Sequence, residues 1–554
     1  MSVPTTQSLN SISLEQGEFT KNYSIDAGFE ALKEEIKDIK QTELELQEQS
    51  LASLLESIDI VDFELEKQPK LREWKKEANL LAKTVLDTNG NPIDAGSEDC
   101  VKYWELTKAV ASVKVRRQEY SVLVINVFKK MVLAKDLDLK VFNKEIFFFN
   151  GKYWQNITEE RFTSFLSNVA EKMGLTELLY EHHTFGNDLI KQFTHKNFVQ
   201  FVTDSKYTCI NLQNGTFKFY KGKGKLYPHN KKDNLHYVLT FDYLPEETCP
   251  LFNDYIEYCL PDEEKRQVLQ EFIGYVFTPN EVLNLEKCLL LYGSGSNGKS
   301  VLNFILNAIF GKINVSSISI PQMTDSTKGE YYIILLQNIL LNYCSDTKGA
   351  FDDTGVFKQL VSGEKVIGRH PAGRPVEFLN NAKFIFNVNA LPTTPENVHG
   401  FFRRFEIIDF NVTIEEEKKD RQLATKIIEN ELSGVLNWIL IGLDRLLING
   451  KLTDCKANNE ALERFKIKSN NVLEFLLDEG FETVTNIEHG HIFNDLYQSY
   501  VNWINENGGH ALKKSNFKER IDASKIEGKQ VFRNEKCNGN KHKVNISKKY
   551  DYEF

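Results

Sequence analysis

The segment KCLLLYGSGSNGKSVLNFILNAIFG, residues 287–311, restricts the fold more than any other stretch of the chain. Leu289–Tyr292 reads as a short apolar strand. Gly293, Ser294, Gly295, Ser296, Asn297, Gly298, Lys299 and Ser300 then match the pattern GxxxxGK[ST]. Val301–Phe310 reads as an apolar helix, and Gly311 is a good stop for it. Strand, glycine-rich loop and helix in that order are the elements of an α/β sheet that binds ligand at its strand ends. Small residues let successive backbone N–H groups curl around a polyphosphate. The start of the helix adds the positive end of its dipole. Lys299 can reach the β- and γ-phosphates of ATP, and Ser300 can ligate Mg²⁺. A glycine-rich turn matching by chance lacks the flanking strand and helix, so nucleotide binding is the expectation.

Such a loop needs an acidic partner on a neighbouring strand. QNILLNYCSDTKG (337–349) offers an apolar strand, Ile339–Cys344, with Asp346 just past its end. Asp346 is therefore expected to hold Mg²⁺ or its water, with Asp352 and Asp353 as rivals. A further strand, Phe384–Val388, ends at Asn389, whose amide could position water near a γ-phosphate. GFFRRFEIIDF (400–410) sets Arg403 and Arg404 beside another apolar strand. Either could be ordinary surface charge, or an arginine supplied to a neighbouring subunit's ATP. Between these strands, Lys358, Lys365, Arg369, His370 and Arg374 stand against one acid, Glu364. Gly368 and Pro371-Ala-Gly373 would allow a tight turn there. A solvated basic loop and a phosphate-gripping hairpin are both open on these residues alone.

Taken in order, GSGSNGKS, the strand ending at Asp346, FKQLVSGEKVIGRHPAGRPVEF, FIFNVNALPTTP and GFFRRFEIIDF resemble the superfamily 3 helicases. These are AAA+ ATPases of viruses, phages and mobile elements, and the likeness is to the helicase part of phage, plasmid and poxvirus-type primase-helicases. It spans roughly 140–550 and is most specific over 287–410. The resemblance implies Lys299 and Ser300 as Walker A, Asp346 as the Walker B acid, Asn389 as sensor, and Arg403 or Arg404 as the finger. It departs from the family in having Ser345 before a single acid. It also implies that Lys365, Arg369, His370 and Arg374 belong to a DNA-contacting hairpin. The implied protein is a hexameric, 3′-to-5′ DNA helicase using ATP and Mg²⁺ on single-stranded or forked DNA, in the cytoplasm of a host cell.

The net charge of −10 argues against nucleic acid only until it is divided. Residues 26–66 hold 13 acids and 3 bases, whereas 511–554 hold 12 Lys/Arg and 6 Asp/Glu. Apolar residues Leu32, Ile36, Ile39, Leu46, Leu51, Leu54, Leu55 and Ile58 predict a helix over 29–66 with an acidic face. A second helical block is expected near 100–135. Aromatic alternation around Asn150-Gly151 predicts a hairpin, CINLQNGTFKFYKG (209–222) another, and 251–278 reads as helices. The eight cysteines are scattered without a CxxC pair, which excludes a zinc or disulfide framework. The first residues lack a signal-peptide pattern, and VLNWILIGLDRLLI (435–448) reads as a buried helix, not a membrane span.

The expected layout is a mixed α/β protein. It has a helical region for assembly or a replication partner (1–140), a small α+β domain (141–250), a P-loop AAA+ core (251–415), a helical follow-on (416–455) and a basic winged-helix-like domain (456–554). Two rivals to the helicase remain open. One is a primase-helicase using the pair Asp136 and Asp138. The other is an origin-binding initiator or loader that does not unwind DNA.

Overall fold

Five parallel strands form the centre of the protein: β1 (Cys288–Tyr292), β2 (Val315–Ser316), β3 (Leu341–Cys344), β4 (Lys383–Val388) and β5 (Phe405–Asp409). Their spatial order is β5-β1-β4-β3-β2. In register, Leu289 faces Ile385 on one side and Glu406 on the other. Every residue of β4 is buried, as expected of a parallel strand covered on both faces. In this computed structural model the described residues are 48–142, 145–197, 207–220, 222–345, 351–371, 373–392, 399–508, 510–533 and 542–548. Residues 54–554 make one compact unit, and of residues 1–53 the described part, 48–53, is helical.

The helix Lys299–Phe310 buries Leu302, Ile305, Leu306, Ile309 and Phe310, the three-and-four spacing of one helix face, against the sheet. Three more helices complete that layer: Pro250–Cys259, Glu263–Tyr275 and Leu432–Asn449. The last is the one helix among the described residues long and apolar enough to cross a membrane, and half of it is buried. It packs closely on Glu263–Tyr275, because a Cβ at Gly442 would meet the carbonyl carbon of Gln270 at 2.6 Å. Arg445 on this helix ion-pairs at 2.5 Å with Glu271, a fully buried carboxylate that also accepts from the Thr453 N–H (2.7 Å) and hydroxyl (2.6 Å). A buried charge so fully satisfied holds the two helices in one register.

Two antiparallel three-stranded sheets precede this core: Asp138–Phe142, Glu145–Phe149 and Trp154–Ile157, then Thr208–Leu212, Gly215–Tyr220 and Lys223–Tyr227. The turn at Asn150-Gly151 lies between strands as expected, with Asn150 Oδ1 accepting from the Lys152 and Tyr153 N–H groups at 3.0 Å. Residues 456–548 carry the helices Lys456–Ser469, Asn471–Asp478, Phe493–Glu506 and Lys514–Ala523, with short strands pairing Phe481–Thr483 to Ile546–Lys548. Val472, Phe475, Leu496, Tyr500, Phe517 and Val544 give this region a core of its own.

The continuous helix expected over 29–66 is corrected. Residues 29–47 lie outside the described residues, and the chain is out of helix from Ser57 to Asp62. Asp62 then caps a new helix, Phe63–Lys67, accepting from the Leu65 N–H at 3.0 Å. Periodicity alone hid the break, because Asp62 also fits the polar face of a continuous helix. The seven described cysteines are unbridged, and Cys537 lies outside the described residues.

Candidate nucleotide and nucleic-acid sites

The loop 293–300 leaves the C-terminal end of β1 pinned on both sides. Gly293 donates to the Val388 carbonyl of β4 at 3.2 Å, and Phe410, after β5, donates to the Tyr292 carbonyl at 2.7 Å. Asn297 Nδ2 donates to the Phe410 carbonyl at 3.2 Å, and Ile414 donates to the Ser296 carbonyl at 2.7 Å. Gly295, Ser296 and Gly298 all have positive φ (105°, 50° and 91°), the alternation that turns backbone N–H groups toward a common centre. Gly298 is required twice over. Its φ is left-handed, and a Cβ there would meet Cys259 Sγ at 2.5 Å. Beneath it the Tyr255 hydroxyl donates to the Gly298 carbonyl at 2.8 Å.

Lys299 is buried, and its Nζ donates to the Gly293 carbonyl at 2.8 Å and to Asn297 Oδ1 at 3.1 Å. The ammonium is thus held across the mouth of the loop, aimed at whatever the N–H groups encircle. Ser294 and Ser300 are exposed, and Ser300 stands in the first turn of the helix that follows the loop. The loop therefore fits a polyphosphate with its Mg²⁺.

The end of β3 comes beside this helix, since Asn303 Nδ2 donates to Ser345 Oγ at 3.2 Å. Asp346 follows immediately and lies outside the described residues. Its rivals have structural tasks. Asp353 caps the helix Thr354–Val361 through the Gly355 N–H (2.7 Å), and Asp352 accepts from the Ser326 N–H (2.9 Å). Asn389 sits exposed just beyond β4. Two residues earlier Asn387 is buried, its Oδ1 accepting from the Tyr343 hydroxyl at 2.9 Å. Burial holds the Tyr343 phenol well above its usual range, so it donates as a neutral hydroxyl. Asp409, at the end of β5 beside the loop, is a buried carboxylate paired with Arg464 at 2.5 Å. Neither residue stood out in the sequence, because their partnership spans two elements far apart in the chain.

Arg403 and Arg404 lie at the opposite end of the sheet, before Phe405, which is in register with Cys288 at the start of β1. The structure separates them. The Arg403 side chain is 47% exposed and pairs with Glu286 at 2.5 Å. The Arg404 side chain is only 10% exposed; it donates to Ser362 Oγ at 2.9 Å and to the Gly400 carbonyl. Arg404 thus ties Ser362, just ahead of the basic stretch 365–374, to the start of β5, and Arg403 is the one that faces outward. Glu286 holds the Arg403 guanidinium from a left-handed backbone position (φ 52°). That conformation is costly for a non-glycine residue.

The basic stretch forms a true hairpin, Lys365–Arg369 paired with Pro375–Leu379, closed by the Gly373 N–H donating to the His370 carbonyl at 2.8 Å. Two expectations about it are corrected. Lys358 belongs to the preceding helix, Thr354–Val361. Gly368 is not in the turn but opposite Val376 in the strand, where a Cβ would meet Ile334 Cα at 2.7 Å. The returning strand also adds an acid, since Lys365 pairs with Glu377 at 3.1 Å, while Arg369 pairs with Glu330 at 3.6 Å. His370 and Arg374 flank the turn, with Arg374 exposed. Asp136 and Asp138 do not form a carboxylate pair facing one site. Asp138 pairs with Lys231 at 3.3 Å and accepts from the Leu139 N–H, whereas Asp136 is exposed in a left-handed turn.

Residues 127–261 match the family described as "D5 N terminal like", and residues 291–404 match one described as "Family of unknown function (DUF5906)". The chain is 25% identical over 362 residues to "Putative helicase 121R" of Invertebrate iridescent virus 3, covering 58% of this chain and 38% of that protein. It is 24% identical over 254 residues to "Putative helicase L207/L206" of Acanthamoeba polyphaga mimivirus, covering 41% of this chain and 25% of that protein.

The chain is similar to virus-type primase-helicases, through a segment like the D5 N-terminal family and through two viral proteins named putative helicases.

The matched part spans well under half the length of these viral relatives. The solved apo structure of the NrS-1 C-terminal region aligns with 78% of this chain and 99% of its own, at 14% identity and a TM-score of 0.45. A second apo form of that region aligns with 75% of this chain and 97% of its own, at 13% identity and a TM-score of 0.44. The match over 291–404, to the family of unknown function, begins inside β1 and ends at Arg404, so it encloses the loop, the hairpin and both arginines.

Proposed function

We propose that this chain is an ATP-driven DNA helicase of viral or mobile-element replication, working as a ring whose active site is completed at the contact between copies. The observation that carries this reading is the division of charge between the two ends of the sheet. The phosphate loop opens at the C-terminal ends of the strands, and the exposed Arg403 stands at the N-terminal end of the adjacent β5. One subunit cannot bring both to the same phosphate. A neighbour in a head-to-tail ring can, which closes when the rotation does.

In the proposed reaction, the loop N–H groups and Lys299 hold the β- and γ-phosphates, and Ser300 with Asp346 holds the metal. Bound Mg²⁺ supplies charge neutralisation of the phosphate oxygens. Asp346 and Asn389 orient the attacking water. Arg403 of the next subunit stabilises charge on the transferred phosphoryl group. Arg404 supports it from behind and, through Ser362, links that arginine to the base of the 365–379 hairpin. The hairpin, with Lys365, Arg369, His370 and Arg374, grips single-stranded DNA by its backbone, without reading sequence. Six subunits, 3′-to-5′ travel and work at forked DNA in the host cytoplasm complete the proposal. The exposed Lys513, Lys514, Lys518, Lys525 and Lys529 in the C-terminal region support a second, winged-helix-like nucleic-acid contact there.

The test is ATPase activity with and without single-stranded DNA, for wild type and Lys299→Ala. Stimulation of the wild type by DNA, with both rates lost in the variant, is the expected result. An active wild type indifferent to DNA contradicts the proposal.

A further inference from the structure

A second patch of the molecule has the chemistry of nucleic-acid contact and lies well outside the hairpin in sequence. Between residues 217 and 233 the chain holds six lysines and one acid, Asp233, which pairs with Lys218 and leaves the other lysines in surplus. Strand register decides where they point. In the sheet Thr208–Leu212, Gly215–Tyr220, Lys223–Tyr227, the cross-strand pairs include Lys218 with Lys225, Tyr220 with Lys223, and Thr216 with Tyr227. Side chains alternate across a strand, so Lys218, Tyr220, Lys223, Lys225 and Tyr227 share one face. Phe217, Phe219 and Ile210 occupy the other, and they enter the same core as the helices around the phosphate loop.

The outward face is aromatic as well as basic. Tyr207, Tyr220 and Tyr227 are 50%, 49% and 44% exposed. The Tyr207 and Tyr220 rings meet edge to face at 5.9 Å, and Lys218 and Lys225 each lie 5.7 Å from the Tyr227 ring. Lysines on an edge strand also serve to block sheet extension, and charge alone would be read that way. Three half-exposed tyrosines on the same face have no place in that explanation. Even with their contacts to one another and to the lysines, about half of each side chain remains open to solvent.

We infer that the face formed by Tyr207, Tyr220, Lys223, Lys225 and Tyr227 is a stacking platform for single-stranded nucleic acid, distinct from the 365–379 hairpin. Aromatic rings accept any base, and lysines follow the backbone between them. An acidic protein segment would satisfy the lysines but gain little from the ring faces. Because the inner face is continuous with the ATPase core, strand bound here is held in a fixed place relative to the motor. The inference goes beyond the ATP-driven reading and needs no nucleotide hydrolysis.

The experiment is fluorescence anisotropy of a labelled twenty-nucleotide oligo(dT) with the full chain, without ATP, over a salt series. Tyr220→Ala and Tyr207→Ala should each weaken binding about tenfold, and Tyr220→Phe should bind like wild type. Lys223→Ala/Lys225→Ala should flatten the slope of log affinity against log salt by roughly 1.4. Thermal melts matching wild type separate these effects from misfolding. Undiminished binding by Tyr220→Ala overturns the platform while leaving the motor intact; wild-type binding without DNA-stimulated ATPase does the reverse. Equal losses in Tyr220→Phe and Tyr220→Ala, full displacement by poly-glutamate at matched charge, or no oligo(dT) binding by wild type also overturn the platform.

Discussion

The two ends of the parallel sheet are built on opposite principles. At the C-terminal ends of the strands the backbone does the work. Positive φ at Gly295, Ser296 and Gly298 shapes the loop, and Lys299 is tied to its own Gly293 carbonyl and Asn297. At the N-terminal ends side chains do the work. The buried Arg404, Ser362 and Lys383 are joined by hydrogen bonds to the half-buried Asn280 and the exposed Asn284, next to the Arg403–Glu286 pair. The Asn284 amide donates to the Ser362 carbonyl at 2.9 Å and Asn280 donates to the Asn380 carbonyl at 3.0 Å, fixing both ends of the hairpin to these residues. A local motif can build a phosphate cradle by itself, whereas a lever between an arginine and a hairpin needs contacts drawn from distant segments.

The largest expected effect falls on the cradle. Lys299→Ala should lower ATP turnover by on the order of a hundredfold or more, read as steady-state phosphate release. A variant near wild-type rate would remove the cradle from the account. At the other end the two arginines should part company. Arg403→Ala should cost a comparable factor in turnover with an unchanged melting temperature. Arg404→Ala should destabilise the fold by about 2–3 kcal/mol, read in denaturant melts, because it strips a buried network of its donor. Equal melting behaviour for both variants would erase the distinction drawn from their burial.

Gly368→Val should then sharpen the role of the hairpin. The added side chain must push against the Ile334 backbone at a cost of about 1–3 kcal/mol. DNA stimulation of the ATPase should fall while the basal rate persists. The smallest effect concerns Lys383, whose burial over the Tyr275 ring lowers its pKa from 10.5 to about 7. The unfolded chain keeps that proton up to about 10.5 and the folded chain loses it near 7. Between those values the unfolded state binds more protons, so this lysine makes stability rise with pH. Melts of wild type and Lys383→Met should therefore converge or cross in favour of wild type between pH 7 and pH 9. A constant gap would place the Lys383 ammonium in a wetter setting.

The same contrast explains what the sequence made legible. The phosphate loop was readable from eight consecutive residues, since strand, glycines, lysine and helix are all local. The strands β3, β4 and β5 were readable as apolar runs with polar ends. Arg403 and Arg404 were readable as a pair but not as individuals, because only burial against Ser362 and Gly400 tells them apart. Glu286 went unnoticed on a connecting loop, as did Asp409 with Arg464, for their partners lie more than fifty residues away. The tyrosines of the 208–227 sheet were visible as residues but not as a face, which depends on register. Gly368 looked like a turn glycine and is a packing glycine, a difference set by Ile334 on another element.

The central claim is that the two ends meet between subunits. Its most direct measurement is ATPase activity in mixtures of Lys299→Ala and Arg403→Ala subunits, each inactive alone. Because one variant keeps a sound arginine and the other a sound cradle, mixing should restore activity, with a maximum near equal proportions. Activity no greater than the sum of the two separate variants at every ratio would contradict the account.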